Sequence, residues 1–227
     1  MISPSLRLLI EDLTSSSACF GKVAVALEKV AVIADFVNNN NAKHPSEFLT
    51  EESNFNGVRL IAPVTHFLLS MPRPPIPSSL ESIETSSRPD APSSADLLQE
   101  AVRLGLLIFV AAIKRAVFRF AFYEMETLQD RFSSIVDQMR GATESCAPVV
   151  KLQLWALVTV SLSHLSEPRF GSAGQWYVDD IRQAMTYLGI GSGNEAINIA
   201  REIIWVEALW KESGAIERLV SQVDIVI

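Results

Sequence analysis

The sequence predicts an all-α protein, and three observations carry that prediction. Apolar residues recur at helical spacing in segment after segment, beginning with Leu6, Leu9, Ile10 and Leu13 on one face. No stretch alternates apolar and polar residues with the period of two that a half-buried strand requires. Neither a sequence repeat nor a coiled-coil heptad of useful length is present, so the helices must pack as one irregular bundle. The expected architecture is a compact multi-helix domain of about eight or nine helices with one long flexible loop.

Taken in order, the first helix carries Pro4 in its first turn, where a missing N–H costs nothing. Ser15, Ser16 and Ser17 end it, because serine hydroxyls compete for backbone bonds. A second helix follows on Phe20, Val23, Leu27, Val30, Ala34 and Val37. Val25, Val32, Ile33 and Phe36 widen its stripe, which predicts burial on more than one side. It is expected to stop at the asparagines 38–41, and residues 42–54 read as polar and irregular. A third helix is expected over 55–71, with Pro63 either kinking it or dividing it in two.

From Pro72 to Ser94 the chain holds six of its eleven prolines and many serines, and reads as a flexible surface loop. Ser93, Ser94 and Asp96 then offer a cap to the most hydrophobic helix, Ala95 to about Tyr123. Leu128, Phe132, Ile135, Val136 and Met139 form the next stripe, with Gly141 as its C-cap. After Pro148 come an apolar helix, a break at Glu167 and Pro168, a more polar helix, and a third reading from Gly189 to Trp210. Ile216, Leu219, Val220 and Val223 give a last, weak face, and the final residues could end as an extended tail. The expected organisation is a single domain: N-terminal helices over 1–71, the loop over 72–94, and the main helical core over 95–227.

Composition excludes several classes. A net charge of −7 and a pI near 5.0 argue against a nucleic-acid-binding face, which needs clustered Lys and Arg. Cys19 and Cys146 make neither a zinc site nor a disulfide framework, and read as buried thiols in a reducing compartment. The N-terminus has Glu11 and Asp12 where a signal cleavage region should be neutral. No segment is expected to span a membrane, since the apolar run from Leu104 to Ile113 is about half the required length. An intracellular location, nuclear or cytoplasmic, is the expectation.

Three passages give the chain a family resemblance. They are HFLLSMP (His66 to Pro72), LLQEAVRLGLLIFV (Leu97 to Val110), and the series LQLWALVTVSLSH, QWYVDDIRQAMTYLGI and AREIIWVEALW between Leu152 and Trp210. In order and spacing they resemble the fungal-specific transcription factor domain, the helical regulatory region that follows a six-cysteine binuclear zinc cluster. The positions that match are the acidic residue and Arg ahead of the apolar run, Trp155, Trp176, Leu188 with Gly189, and Trp205. The resemblance covers roughly Phe67 to Trp210 and implies a regulatory, non-enzymatic module. The sequence departs from the family in having no six-cysteine cluster, basic linker or coiled coil. Three readings stay open: a regulator without DNA binding, a piece of a larger one, or the scaffold in another use.

Candidate site residues are few. His66 lies on a mostly apolar helix ahead of the loop, and His164 ends the Trp155 helix, where an imidazolium complements the helix dipole. Ser161 stands three residues before His164, the spacing of a nucleophile and base on one helix face, and Glu167 is the available orienting acid, but no oxyanion element accompanies them. Arg169 and Arg182 could clamp an anion, and the glycines of GSAG and of 189–193 read as ordinary turns. No histidine and carboxylate group has metal spacing, and no cofactor motif is present.

Two functions follow as expectations. The first is a transcription-factor-like module binding a partner regulator, its own copy or a small effector, with no direct contact to nucleic acid or membrane. The second is an enzyme or binding protein for an apolar secondary metabolite, of cyclase or isomerase type. Trp155, Trp176, Tyr177, Phe118 and Tyr123 would line its pocket, with His66, His164 or Tyr123 moving protons. An enclosed cavity with polar groups inside would favour the second; a solid core with an exposed apolar groove would favour the first.

Overall fold

A computed structural model describes residues 2–16, 20–43, 51–74, 92–118, 124–140, 146–166, 176–211 and 213–224. Among them the chain forms nine α-helices and no strand. The first five are α1 (Pro4–Ser16), α2 (Gly21–Lys43), α3 (Glu51–Ser70), α4 (Ser94–Phe118) and α5 (Glu124–Met139). The rest are α6 (Ala147–Leu165), α7 (Trp176–Leu188), α8 (Gly193–Ile203) and α9 (Ala215–Asp224), with a 3₁₀ turn at Glu207–Leu209.

Two helices make the centre. α4 is buried from Leu104 through Val110 and α6 from Leu154 through Ser163, so both are apolar on every side, as interior helices must be. They approach closely where Gly105 meets Ala156: a Cβ on the glycine would stand 3.2 Å from the alanine methyl. The rings of Phe109 and Trp155 meet edge to face beside that contact, 6.3 Å between centroids. α2, α3 and α5 pack on α4, while α1, α7, α8 and α9 pack on α6. One apolar cluster runs through all of them, from Leu6 to Val223.

Local chemistry sets the helix ends. Ser93 Oγ accepts from the Asp96 N–H while the Asp96 carboxylate accepts from the Ser93 N–H, a reciprocal cap that starts α4. Gly189 has φ +68° and ends α7, with the Ile190 N–H donating back to the Met185 carbonyl at 2.9 Å. At the start of α8 Ser192 Oγ accepts from the Glu195 N–H, and the Glu195 carboxylate accepts from the Gly191 N–H. The turn at 189–193 is thus built to join two helices.

Several expectations need correction. α2 runs on through the asparagines to Lys43, because Asn38 Nδ2 donates to the Trp205 carbonyl at 2.8 Å and Asn40 Nδ2 to Phe36. Val25 and Val32 do not widen its buried stripe; they are 40% and 47% exposed. α3 begins at Glu51 and passes through Pro63 as one helix. The expected helix from Gly189 to Trp210 stops at Ile203, and Ile204, Trp205 and Val206 follow in succession, all buried. Side chains take the carbonyls a continuing helix would use: Trp155 Nε1 donates to Ile204 and Asn38 to Trp205.

Cys146 is exposed at the start of α6 rather than buried. α6 is also long and apolar enough to cross a membrane by length and composition, against the expectation, although 67% of that stretch is buried by the other helices. The centre of the proline- and serine-rich loop (75–91), Cys19, the break at Glu167 and Pro168, Gly141 and the last three residues lie outside the described residues.

Candidate functional site

The residues singled out in the sequence fall into separate places. Trp155 is fully buried at the centre, its indole N–H donating to the Ile204 carbonyl at 2.9 Å. His66 is exposed on α3. His164, nine residues after Trp155 on the same helix, is about 13 Å further along the axis. Tyr123 lies outside the described residues, as does the side chain of Phe118.

Among the described candidates, only His164, Trp176 and Tyr177 come together. The Tyr177 ring meets His164 edge to face at 6.2 Å and Trp176 at 5.6 Å, and Trp176 also packs on Phe132 at 6.1 Å. The Tyr177 hydroxyl lies 3.2 Å from Gln222 Oε1. Burial pushes the Tyr177 phenol above its ordinary value and His164 below its own. The expected imidazolium at the end of α6 is therefore disfavoured, and Arg218 takes that role by donating to the Leu165 carbonyl at 2.6 Å. Ser161 Oγ donates to the Leu157 carbonyl, so it is held within its own helix. Arg182 is no anion clamp: it donates to the carbonyls of Gln222 and Val223 at the end of α9. Arg169 and Glu167 lie outside the described residues.

Among the described residues, two openings bear on a site. One, of about 410 Å³, lies where the starts of α4 and α6 meet the end of α5 and the side of α7. Its polar edge is the pair Arg140 and Asp180, joined at 2.7 and 3.0 Å. The other, of about 360 Å³, is a groove with α4 as its floor and α3 and α5 as its walls. Leu69, Leu107, Val110, Met125 and Leu128 make it apolar, with Thr65 and Thr127 as hydroxyl-bearing members and Lys114 as its one charged member among the described residues.

This groove adjoins a buried ionic cluster. On α4, Arg103 stands four residues before Leu107 and so on the same face. On α5, Arg131 is three residues after Leu128, and Gln129 four after Met125. Glu100 accepts from Arg103 at 2.6 and 2.8 Å and from Arg131 at 3.0 Å, and Arg103 also donates to the Leu68 carbonyl. Glu100 and Arg103 are almost wholly buried, as is Gln129.

Sequence reading did not connect this cluster to a site, yet two signals were present. Glu100 and Arg103 sit within a strongly apolar helix, and Gln129 occupies a core position in the stripe Met125, Gln129, Phe132, Val136. Among the described residues no group of His, Cys, Asp and Glu side chains is placed to hold a metal ion. Comparison with protein-family models, with curated proteins and with solved structures found no match.

Proposed function

We propose that this chain is a regulatory interaction module, similar to the fungal transcription factor domain but without a DNA-binding element of its own. It acts by taking an apolar effector or partner into the groove between α3 and α5. The observation that carries this reading is the contrast between a buried centre and an open groove. Trp155, Tyr177 and Phe109 are packed away inside, while Leu69 is 48% exposed at the groove. An occupant touching both walls would select one packing of α3 and α5 on α4, which is how binding shifts a two-state equilibrium. DNA contact would come from a partner regulator, in the nucleus or in transit through the cytoplasm.

The enzymatic reading gains less. Of its proposed proton carriers, the two among the described residues line neither opening: His66 is exposed on α3 and His164 lies against Tyr177.

Native mass spectrometry with a denatured control tests the proposal. The expected result is a noncovalent added mass, a small molecule or a second copy, that is lost in Leu69→Asp. An added mass that persists in that variant would place the occupant elsewhere. A salt-sensitive, sub-micromolar gel shift of duplex DNA by the protein alone would refute the claim that it lacks DNA binding.

A further inference from the structure

The groove and the ionic cluster beside it together specify an occupant. Glu100 brings one negative charge, and Arg103 and Arg131 bring two positive ones. Arg103 is fully engaged by Glu100 and the Leu68 carbonyl. Arg131 gives Nη2 to Glu100, but its Nε–H is buried with no acceptor, and 28% of its side chain reaches solvent. Gln129 Nε2 is likewise buried with no acceptor. Beside Glu100 the surplus is one positive charge and one unmet donor, the Arg131 Nε–H. Buried donors and charges without partners are costly, and acceptors of the opposite charge relieve both at once.

We propose that the groove binds an apolar carboxylic acid. Its hydrocarbon part lies along Leu69, Leu107, Val110 and Met125, and its carboxylate pairs with the Arg131 guanidinium. This deepens the reading of the groove as an effector site and rests on it. A monocarboxylate matches the surplus: one negative charge and acceptor oxygens in the planar geometry a guanidinium prefers. An alcohol of the same length would leave the charge uncompensated, and an amine would add to it. Lys114 stands eleven residues beyond Arg103 on α4, about 16 Å along the axis, so the two ends of the groove are distinguishable by mutation.

The test is calorimetric titration of the full chain with decanoate, 1-decanol and decylammonium below their micelle concentrations. Decanoate is expected to bind at least about tenfold tighter than decanol, the scale of one charge-assisted pair. Arg131→Gln should reduce decanoate to the decanol affinity and leave decanol unchanged. Lys114→Gln should keep the preference, and Thr127→Trp, at an exposed groove position, should weaken all binding. Arg103 still pairs with Glu100 in Arg131→Gln, and a thermal melt checks that it folds; Arg131→Lys, which keeps the charge and loses the fork, gives a second reading. Loss of the preference in Lys114→Gln but not Arg131→Gln overturns Arg131 as the head-group site. Equal binding of decanoate and decanol, both lost in Thr127→Trp, overturns the carboxylate and leaves the groove as an effector site. Binding indifferent to Thr127→Trp, or none that saturates, overturns both.

Discussion

One arginine–carboxylate site lies at the middle of α5 and another just past its end, and the two differ in sign and setting. At Arg131 two guanidiniums share the single carboxylate of Glu100, which is fully buried. At Arg140 one guanidinium meets two carboxylates, Asp180 at 2.7 Å and Asp137 at 2.8 Å, and 45% of its side chain faces water. Hydrogen bonding to Asp180 raises the Arg140 pKa still further above an already high value. Solvent can absorb the negative surplus around Arg140, whereas the positive surplus around Arg131 has only protein around most of it. The same residue types thus make a surface tie in one place and an incomplete polar site in the other.

Mutation can break that comparison. Glu100→Gln should have the largest effect, a loss of about 3–5 kcal/mol in denaturant unfolding, because it leaves two guanidiniums without their buried counter-ion. A loss under about 1 kcal/mol would mean that water already reaches the cluster. A neutral bond gives the scale between the two sites. Trp155→Phe leaves the Ile204 carbonyl without its donor and should cost about 1–3 kcal/mol by the same measurement. Asp180→Asn should cost least of the three, about 1 kcal/mol, since Arg140 keeps Asp137 and solvent.

The smallest effect concerns pH. Burial holds the His164 pKa below its ordinary value of 6.5, so as pH falls through 6.5 the unfolded chain takes up a proton before the folded one. Stability should therefore decline with falling pH in that window, and His164→Gln should flatten the decline in melts taken at successive pH values. An unchanged slope would show that His164 is as easily protonated folded as unfolded, which would remove the distinction between a buried aromatic cluster and an exposed one.

How much of this was legible depended on the range of the forces involved. The stripe on α5 and the continuous apolar faces of α4 and α6 follow from side-chain spacing and were readable. The caps at Ser93 and Gly189 are local and were readable as well. The extent of α2 was not: four asparagines are poor helix residues, and they stay helical with support from a carbonyl 167 positions away. The end of α8 was hidden for the same reason, since Trp155 and Asn38 take its next carbonyls from other helices. Among the candidate residues, packing brings His164, Trp176 and Tyr177 together. Trp155 and His66 were separated by packing that no spacing rule encodes.

The sequence by itself determined that this chain is helical, which residues form the apolar faces, and where most helices begin, because each of these depends on neighbours within a turn or two. Tertiary structure alone decided where charges are left over. Glu100 and Arg103 are an ordinary i, i+3 pair until α5 brings Arg131 against them and α3 brings the Leu68 carbonyl. Burial then turns a surplus that water would have screened into a demand for an acceptor, and that demand exists only once the helices are packed.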